Sequence, residues 1–229
     1  MNSAVQASLE SFPARLDDAA TALQLTLDEG QKSALLELVA QLVKWNRTYN
    51  LTALRDADQA LVHHVFDSLA AVPPLLHSGA SQHGAGLRIL DVGSGGGLPG
   101  IVLAIALPQA HLLCIDAVEK KVAFIRQMAG VLGLRNLTAR HGRVEDTEPL
   151  DCNIVISRAF ASLADFARLA GRHVAEGGRL VGMKGKNPVQ EIAALESQGE
   201  WTARETQTLS VPELQAERCL VWMQRRETT

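Results

Sequence analysis

Between two apolar runs, Leu87–Leu90 and Ile101–Leu107, the chain carries Asp91-Val-Gly-Ser-Gly-Gly-Gly-Leu-Pro-Gly100. That order predicts a strand, a glycine-rich turn and a helix. Glycines at 93, 95 and 97 permit backbone conformations and close approaches that a side chain forbids. Pro99 falls where the helix begins, where a missing N–H costs nothing. A turn at a helix N-terminus is suited to holding a cofactor against bare backbone.

The rest of the chain supplies a setting for that turn. The 229 residues suffice for one well-cored α/β domain with an extension. Residues 1–80 are expected to be helical, with Leu35, Leu38, Val39 and Leu42 at helical spacing. A second helix is expected over Ala60–Val72, ended by Pro73-Pro74, with His64, Asp67 and Ser68 opposite its apolar side. The small and polar stretch 77–86 is the expected boundary between an N-terminal helical subdomain (1–80) and the main domain (81–229).

Past that boundary strands and helices alternate. Strands are expected at Leu87–Val92, His111–Asp116, Leu137–Arg140, Asn153–Ser157, Arg179–Met183 and Arg218–Met223. Helices are expected at Gly100–Leu107, Val118–Gly133, Leu163–Val174 and Pro188–Glu196, with a turn at Glu176-Gly-Gly178. Such alternation implies a mostly parallel sheet wrapped by helices. Its ligands sit at the carboxyl ends of the strands, near the switch in strand order.

Composition narrows the function classes. No apolar run approaches the roughly 20 residues of a membrane span. The first residues lack a basic segment followed by an apolar core, so no secretory signal is expected. Cys114, Cys152 and Cys219 are odd in number and widely spaced, which suits neither a disulfide framework nor a metal site. A cytoplasmic protein without a metal is the expectation. A net charge of −3 argues against coating nucleic acid by charge alone. A local basic face remains, from Lys120, Lys121, Arg126, Arg135, Arg140 and Arg143. It is either a solvated surface or an RNA approach.

Two cofactors compete for the glycine turn. Gly95-x-Gly97-x-x-Gly100 matches the dinucleotide pattern, but a strand ending near Val92 makes Gly93 the first glycine of the turn. In that frame the motif is Asp-x-Gly-x-Gly-x-Gly, which resembles the first motif of S-adenosylmethionine-dependent methyltransferases. Asp91 suits a cofactor end bearing an ammonium and a sulfonium; beside a pyrophosphate the same carboxylate would be repelled. Asp116, about 20 residues past the loop, is placed to accept from ribose hydroxyls, which either cofactor carries. A nicotinamide-dependent oxidoreductase and a non-catalytic ribosome-assembly factor are the alternatives.

Further stretches occur in a fixed order. They are Trp45-Asn46-x-x-x-Asn50-Leu51-Thr52, His64-x-x-Asp67-Ser68-Leu69, the glycine turn, Arg143-Val144-Glu145, Ile156-Ser-Arg-Ala-Phe-Ala-Ser-Leu163 and Lys184-Gly185. Together they resemble the ribosomal RNA small-subunit methyltransferase G family, also called glucose-inhibited division protein B, from about Leu35 to Met223. The resemblance implies an α/β, Rossmann-like methyltransferase fold, with a mostly parallel seven-stranded sheet and an antiparallel last strand paired with the strand from Arg179. It implies transfer of a methyl group from S-adenosylmethionine to N7 of a guanosine in 16S (small-subunit) ribosomal RNA, in bacterial cytoplasm. It implies that Gly93 and Leu98 touch the cofactor, that Val144 and Glu145 border its adenine, and that Arg158 binds it. Asp91, Ser94, Gly95, Gly97 and Asp116 complete the expected cofactor site.

The acceptor chemistry agrees by elimination. C5 of a pyrimidine needs a cysteine nucleophile, and Cys152 lies before the fourth strand rather than after it. The Asn/Asp-Pro-Pro-aromatic clamp of amine methylases is replaced here by Ser157-Arg-Ala-Phe160. Guanine N7 offers a lone pair and no proton, so alignment and exclusion of water suffice and no general base is expected. Arg158 can also donate to an acceptor O6 or phosphate, or form a structural ion pair. Arg126, Lys184 and Lys186 are the expected RNA contacts, and Phe160 is expected in the core rather than stacked on a base. His64, Asp67 and Ser68 lack a third strong metal ligand and are expected to pack by hydrogen bonds on the main domain. Trp45, Asn46 and Asn50 are expected to pack and cap nearby. The expected partner is small-subunit ribosomal RNA or the 30S particle, met by a monomer.

Overall fold

The computed structural model describes residues 3–49, 51, 54, 56–78, 86–158 and 160–226, and of 3–9 the backbone alone. Asn50, Thr52 and most of the expected boundary segment fall outside them. The first elements are helices α1 (Ser3–Ala22) and α2 (Glu29–Tyr49). A reciprocal cap starts α2: Asp28 Oδ1 accepts from the Gln31 amide at 2.8 Å, and Gln31 Oε1 accepts from the Asp28 amide at 2.9 Å. Gln31 Nε2 also donates to the Ile105 carbonyl at 2.8 Å, tying this helix to the main domain. Leu35, Leu38, Val39, Leu42 and Asn46 form its buried stripe.

A continuous helical run follows, from α3 (Ala57–Ala60) through a π-helical turn (Leu61–Phe66) into α4 (Asp67–Leu69). It breaks at Ala70-Ala71, and α5 (Val72–His77) starts anew with both prolines in its first turn. The expected helix over Ala60–Val72 is thus corrected at its end. A fixed φ and a missing N–H suit a first turn, so Pro73-Pro74 start a helix rather than stop one. The polar side of this run is also buried, with Arg158 and Arg218 bonded to Asp67.

The sheet contains β1 (Arg88–Val92), β2 (His111–Asp116), β3 (Leu137–His141), β4 (Cys152–Arg158), β5 (Val174–Lys184), β6 (Trp201–Thr208) and β7 (Cys219–Arg225). Their order is β3-β2-β1-β4-β5-β7-β6, with β1 to β5 parallel and β7 antiparallel to both its neighbours. The last strand pairs with the strand from Arg179 as expected. Helices α6 (Gly100–Ala106), α7 (Glu119–Val131), α8 (Leu163–Ala170) and α9 (Val189–Ser197) make the connections. The strand order reverses between β1 and β4, so their carboxyl ends mark the expected ligand position.

Three sequence expectations change. Strand β6 was not foreseen: Trp201-Thr-Ala-Arg-Glu-Thr-Gln-Thr208 is a polar edge strand with little apolar alternation. Helix α8 stops at Ala170 and a 3₁₀ turn (Gly171–His173) follows, in which a side chain at Gly171 would run into the Trp201 indole, 2.7 Å away. The Glu176-Gly-Gly178 turn lies inside β5 as an irregularity: Cys152 pairs with Val174, but Ile154 pairs with Arg179.

Alternation along β1 sends Ile89 to one core and Leu90 and Val92 to the other. The larger core is continuous from Phe12 and Leu38 through Phe66 to Ile101, Phe124 and Trp222. The N-terminal helices therefore share one apolar interior with one face of the sheet. The smaller core lies under α8 and α9. Truncating the fully buried Phe66 to alanine is expected to cost about 3–5 kcal/mol. Calorimetry should still record one cooperative transition. A separate early transition would show that the helical part unfolds on its own.

Candidate functional site

The turn after β1 is shaped by three glycines in the left-handed region, with φ of 67° at Gly93, 58° at Gly95 and 79° at Gly97. Its amides bond within the protein. Gly93 and Ser94 donate to the Ile115 carbonyl at 2.8 and 3.1 Å, and Gly97 and Leu98 donate to the Ser94 carbonyl at 2.8 and 3.0 Å. Gly95 donates to Asp116 Oδ2 at 2.8 Å, and Gly100 to Asp91 Oδ2 at 2.9 Å. A pyrophosphate cradle needs amides pointing outward. Here six are committed inward, which weighs against the dinucleotide frame.

Asp91 lies beneath this turn with no exposed surface. It shares the face of Ile89, so its carboxylate meets the start of α6. Beside the Gly100 amide, Oδ2 has Cys114 Sγ at 3.9 Å; Oδ1 is buried with no hydrogen-bond partner among the described residues. Burial pushes this carboxyl up to about 7, against the pull of the Gly100 amide and the Arg158 charge. A side chain at Gly100 would strike Cys114 and the Asp91 carboxylate, so glycine is needed for this approach. An orphaned carboxylate oxygen under a closed turn suits a cationic donor.

Asp116 ends β2 and joins two elements. Oδ2 takes the Gly95 amide, and Oδ1 takes the Val118 amide at 2.8 Å, at the start of α7. Each oxygen keeps a further lone pair for a hydroxyl donor. Val144 and Glu145 form a 3₁₀ turn with Asp146 after β3. His173 Nε2 lies 2.9 Å from the Val144 carbonyl, so the ring carries its proton there and fixes this turn from behind.

On the other side of β1, the Ser157 hydroxyl donates to the Val92 carbonyl at 2.7 Å and locks the ends of β4 and β1 together. Arg158 then projects toward the π-helical turn. Its Nη1 donates to the His63 carbonyl at 3.0 Å and to Asp67 Oδ2 at 3.2 Å; its Nη2 is 3.5 Å from His64 Nδ1. Burial and the Arg158 charge hold His64 down to about 4, so it is neutral at pH 7. A cleft of about 400 Å³ opens here, lined by His63, Asp67, Arg158, Met183, Lys184 and Arg218.

The structure brings Asp91, the turn, Asp116 and Arg158 to neighbouring strand ends. His64, Asp67 and Ser68 are indeed packed by hydrogen bonds: the Ser68 hydroxyl donates to the His64 carbonyl at 2.6 Å. Asn46 Nδ2 donates to the Leu54 carbonyl at 2.6 Å, and Trp45 packs edge-on to Phe124. Phe160 packs on Phe166 at 5.3 Å between ring centres, within the second core. Of the expected RNA contacts, Arg126 and Lys186 are exposed. Lys184 is engaged, with Nζ 2.7 Å from Glu191 Oε2 and 3.1 Å from the Phe160 carbonyl. Sequence reasoning missed Arg218, whose Nε donates to Asp67 Oδ1 at 2.8 Å. Nothing local marks it, since the two residues are 151 positions apart. Among the described residues no His, Cys, Asp and Glu cluster could hold a metal, and no helix is long and apolar enough to cross a membrane.

Comparison with known proteins gives this site its context. Residues 31–221 match the family model described as rRNA small subunit methyltransferase G. A protein of that name from Bordetella pertussis is 58% identical over 93% of both chains. One from Acidovorax sp. (strain JS42) is 49% identical over 93% of this chain and 95% of its own. Among solved structures, a SAM dependent methyltransferase from Aquifex aeolicus aligns with a TM-score of 0.54 at 16% identity, over 72% of this chain and 92% of that one. The likeness shows a shared fold, which in this chain is a Rossmann-like sheet with β7 antiparallel to both its neighbours. With the match spanning most of its length, the chain belongs to the rRNA small subunit methyltransferase G family.

Proposed function

We propose that this protein transfers a methyl group from S-adenosylmethionine to N7 of a guanosine in 16S ribosomal RNA. The observation that carries the reading is Asp91, a buried carboxylate with one orphaned oxygen beneath a turn whose amides are already bonded. That site suits an ammonium and repels a phosphate. When bound, S-adenosylmethionine supplies an electrophilic methyl group on a sulfonium.

The chain's own residues bind and orient. Asp91, which has no exposed surface, would hold the cofactor's ammonium through a shift of the turn or a bridging water, and Arg158 would face its carboxylate. Gly93, Ser94, Gly95, Gly97 and Leu98 would form the floor, Asp116 would accept from the ribose hydroxyls, and Val144 and Glu145 would flank the adenine. N7 would attack through its own lone pair and lose no proton, with the methyl–sulfur bond breaking to leave neutral S-adenosylhomocysteine and the positive charge on the methylated base, so alignment and exclusion of water carry the rate. The neutral, buried His64 is not needed as a base. Arg126, Lys184 and Lys186 approach RNA phosphates, with Lys184 exchanging Glu191 for that role. Residues 1–80 act as a helical subdomain walling the cleft, and 81–229 as the methyltransferase domain. The protein works as a cytoplasmic monomer on the 30S particle or its RNA.

Three measurements test this reading. Calorimetric titration with S-adenosylmethionine should give about 10- to 100-fold weaker binding by Asp91→Asn, the range for losing a hydrogen bond to a charged group. The affinity of the parent protein should rise as pH climbs from about 4 to about 7, because the native carboxyl must lose its proton to pair with the ammonium. In the free protein the same raised acid makes stability fall over that window. The Asp91→Asn substitution should flatten both profiles; an unchanged profile would remove Asp91 from the site.

At Gly95 the positive φ leaves room for a side chain but strains the backbone. Gly95→Val is therefore expected to weaken cofactor binding strongly while the protein remains folded by circular dichroism. Retained tight binding would displace the pocket from this turn. Finally, labelled cofactor and small-subunit RNA or particles lacking the modification should yield N7-methylguanosine, mapped by chemical cleavage. Label on another atom would refute the N7 assignment, and absence of label would refute the enzymatic reading.

A further inference from the structure

Asp67 joins the helical wall to the far edge of the cleft. It is buried, and each of its oxygens takes a different arginine, Arg218 Nε at 2.8 Å on Oδ1 and Arg158 Nη1 at 3.2 Å on Oδ2. The Asp67 side chain is 4% exposed; those of Arg158 and Arg218 are 22% and 23% exposed. The carboxylate thus sits behind and the two guanidinium groups stand in front, on the cleft wall. Two cations to one anion leave that wall with excess positive charge. Lys184 adds none, because Glu191 matches it.

The local backbone serves this arrangement. The π-helical turn precedes Asp67 directly, and the Asp67 amide donates to the Val62 carbonyl five residues back. Such turns are rare and occur frequently at functional sites. This one brings the His63 carbonyl, the His64 ring and the Asp67 carboxylate to bear on Arg158 together. A buried ion pair is a poor device for stability alone, since apolar packing would serve as well.

The two arginines also differ in place. Arg158 ends β4, next to β1 and its turn, whereas Arg218 precedes β7, beyond β5. One guanidinium is on the donor side of the cleft and the other on the far side. We propose that Asp67 is a positioning residue for the reaction, setting Arg158 against the methyl donor and Arg218 against a backbone phosphate of the acceptor RNA. A guanidinium fork can meet a carboxylate and a phosphate at once, which a lysine cannot match. This inference rests on the methyl-transfer reading above.

The test uses the full chain, S-adenosylhomocysteine as the donor-site probe and small-subunit RNA as acceptor. Asp67→Asn should weaken probe binding and raise the KM for RNA, each by about 10- to 100-fold. In an Arg218→Gln background the same change should still weaken probe binding, but should raise the RNA KM no further. A purely structural role would impair both parameters in both backgrounds. Should Asp67→Asn fail to fold, Arg218→Lys decides alone: RNA KM should rise about tenfold or more, with probe affinity unchanged. Wild-type values for Asp67→Asn, additive losses in the double variant, or an unaltered RNA KM in Arg218→Lys would overturn the proposal. Absence of wild-type turnover would instead refute the methyl-transfer reading, and this inference with it.

Discussion

One carboxylate sealed from water organises this molecule. Asp91 ends up beneath its own turn because β1 alternates inward and outward, and because Gly100 lets α6 start directly against it. Above it the turn's amides bond to the Ile115 and Ser94 carbonyls, and one Asp91 oxygen has no partner among the described residues. The result is a closed floor over one buried carboxyl group. A dinucleotide site needs the reverse, open amides and no carboxylate.

The same economy of charge appears at the other strand ends. Asp116 uses both oxygens to tie the turn to α7. Asp67 uses both to tie two arginines to the helical wall. Each carboxylate is shared between two elements, so the site is held by polar contacts that cross the sheet rather than by any single loop. The N-terminal helices belong to this scheme. They share the large core with the sheet and deliver Asp67 to the cleft.

Two of the titratable groups near these strand ends are poorly suited to moving a proton. His64 is neutral and buried, and Cys114 is buried with its thiol pushed well up. A ring nitrogen with a free lone pair is the kind of acceptor this arrangement can serve, since positioning and exclusion of water are enough.

The strand–turn–helix around Asp91, the alternation of elements after it and the helical start were all legible in the sequence, because each is written in local spacing of apolar residues and glycines. So were the ends of most strands. Strand β6 was not, since a polar edge strand carries no alternation to read, and neither was the restart of a helix at Pro73-Pro74. From the sequence Asp91, Asp116 and Arg158 are expected site residues, and the fold brings them to neighbouring strand ends. Only the tertiary structure decided that Asp91 has an orphaned oxygen, that Lys184 is already paired with Glu191, and that Arg218 stands beside Arg158 on Asp67. Those facts depend on contacts between residues far apart in the chain, and burial and charge pairing arise only when the elements pack.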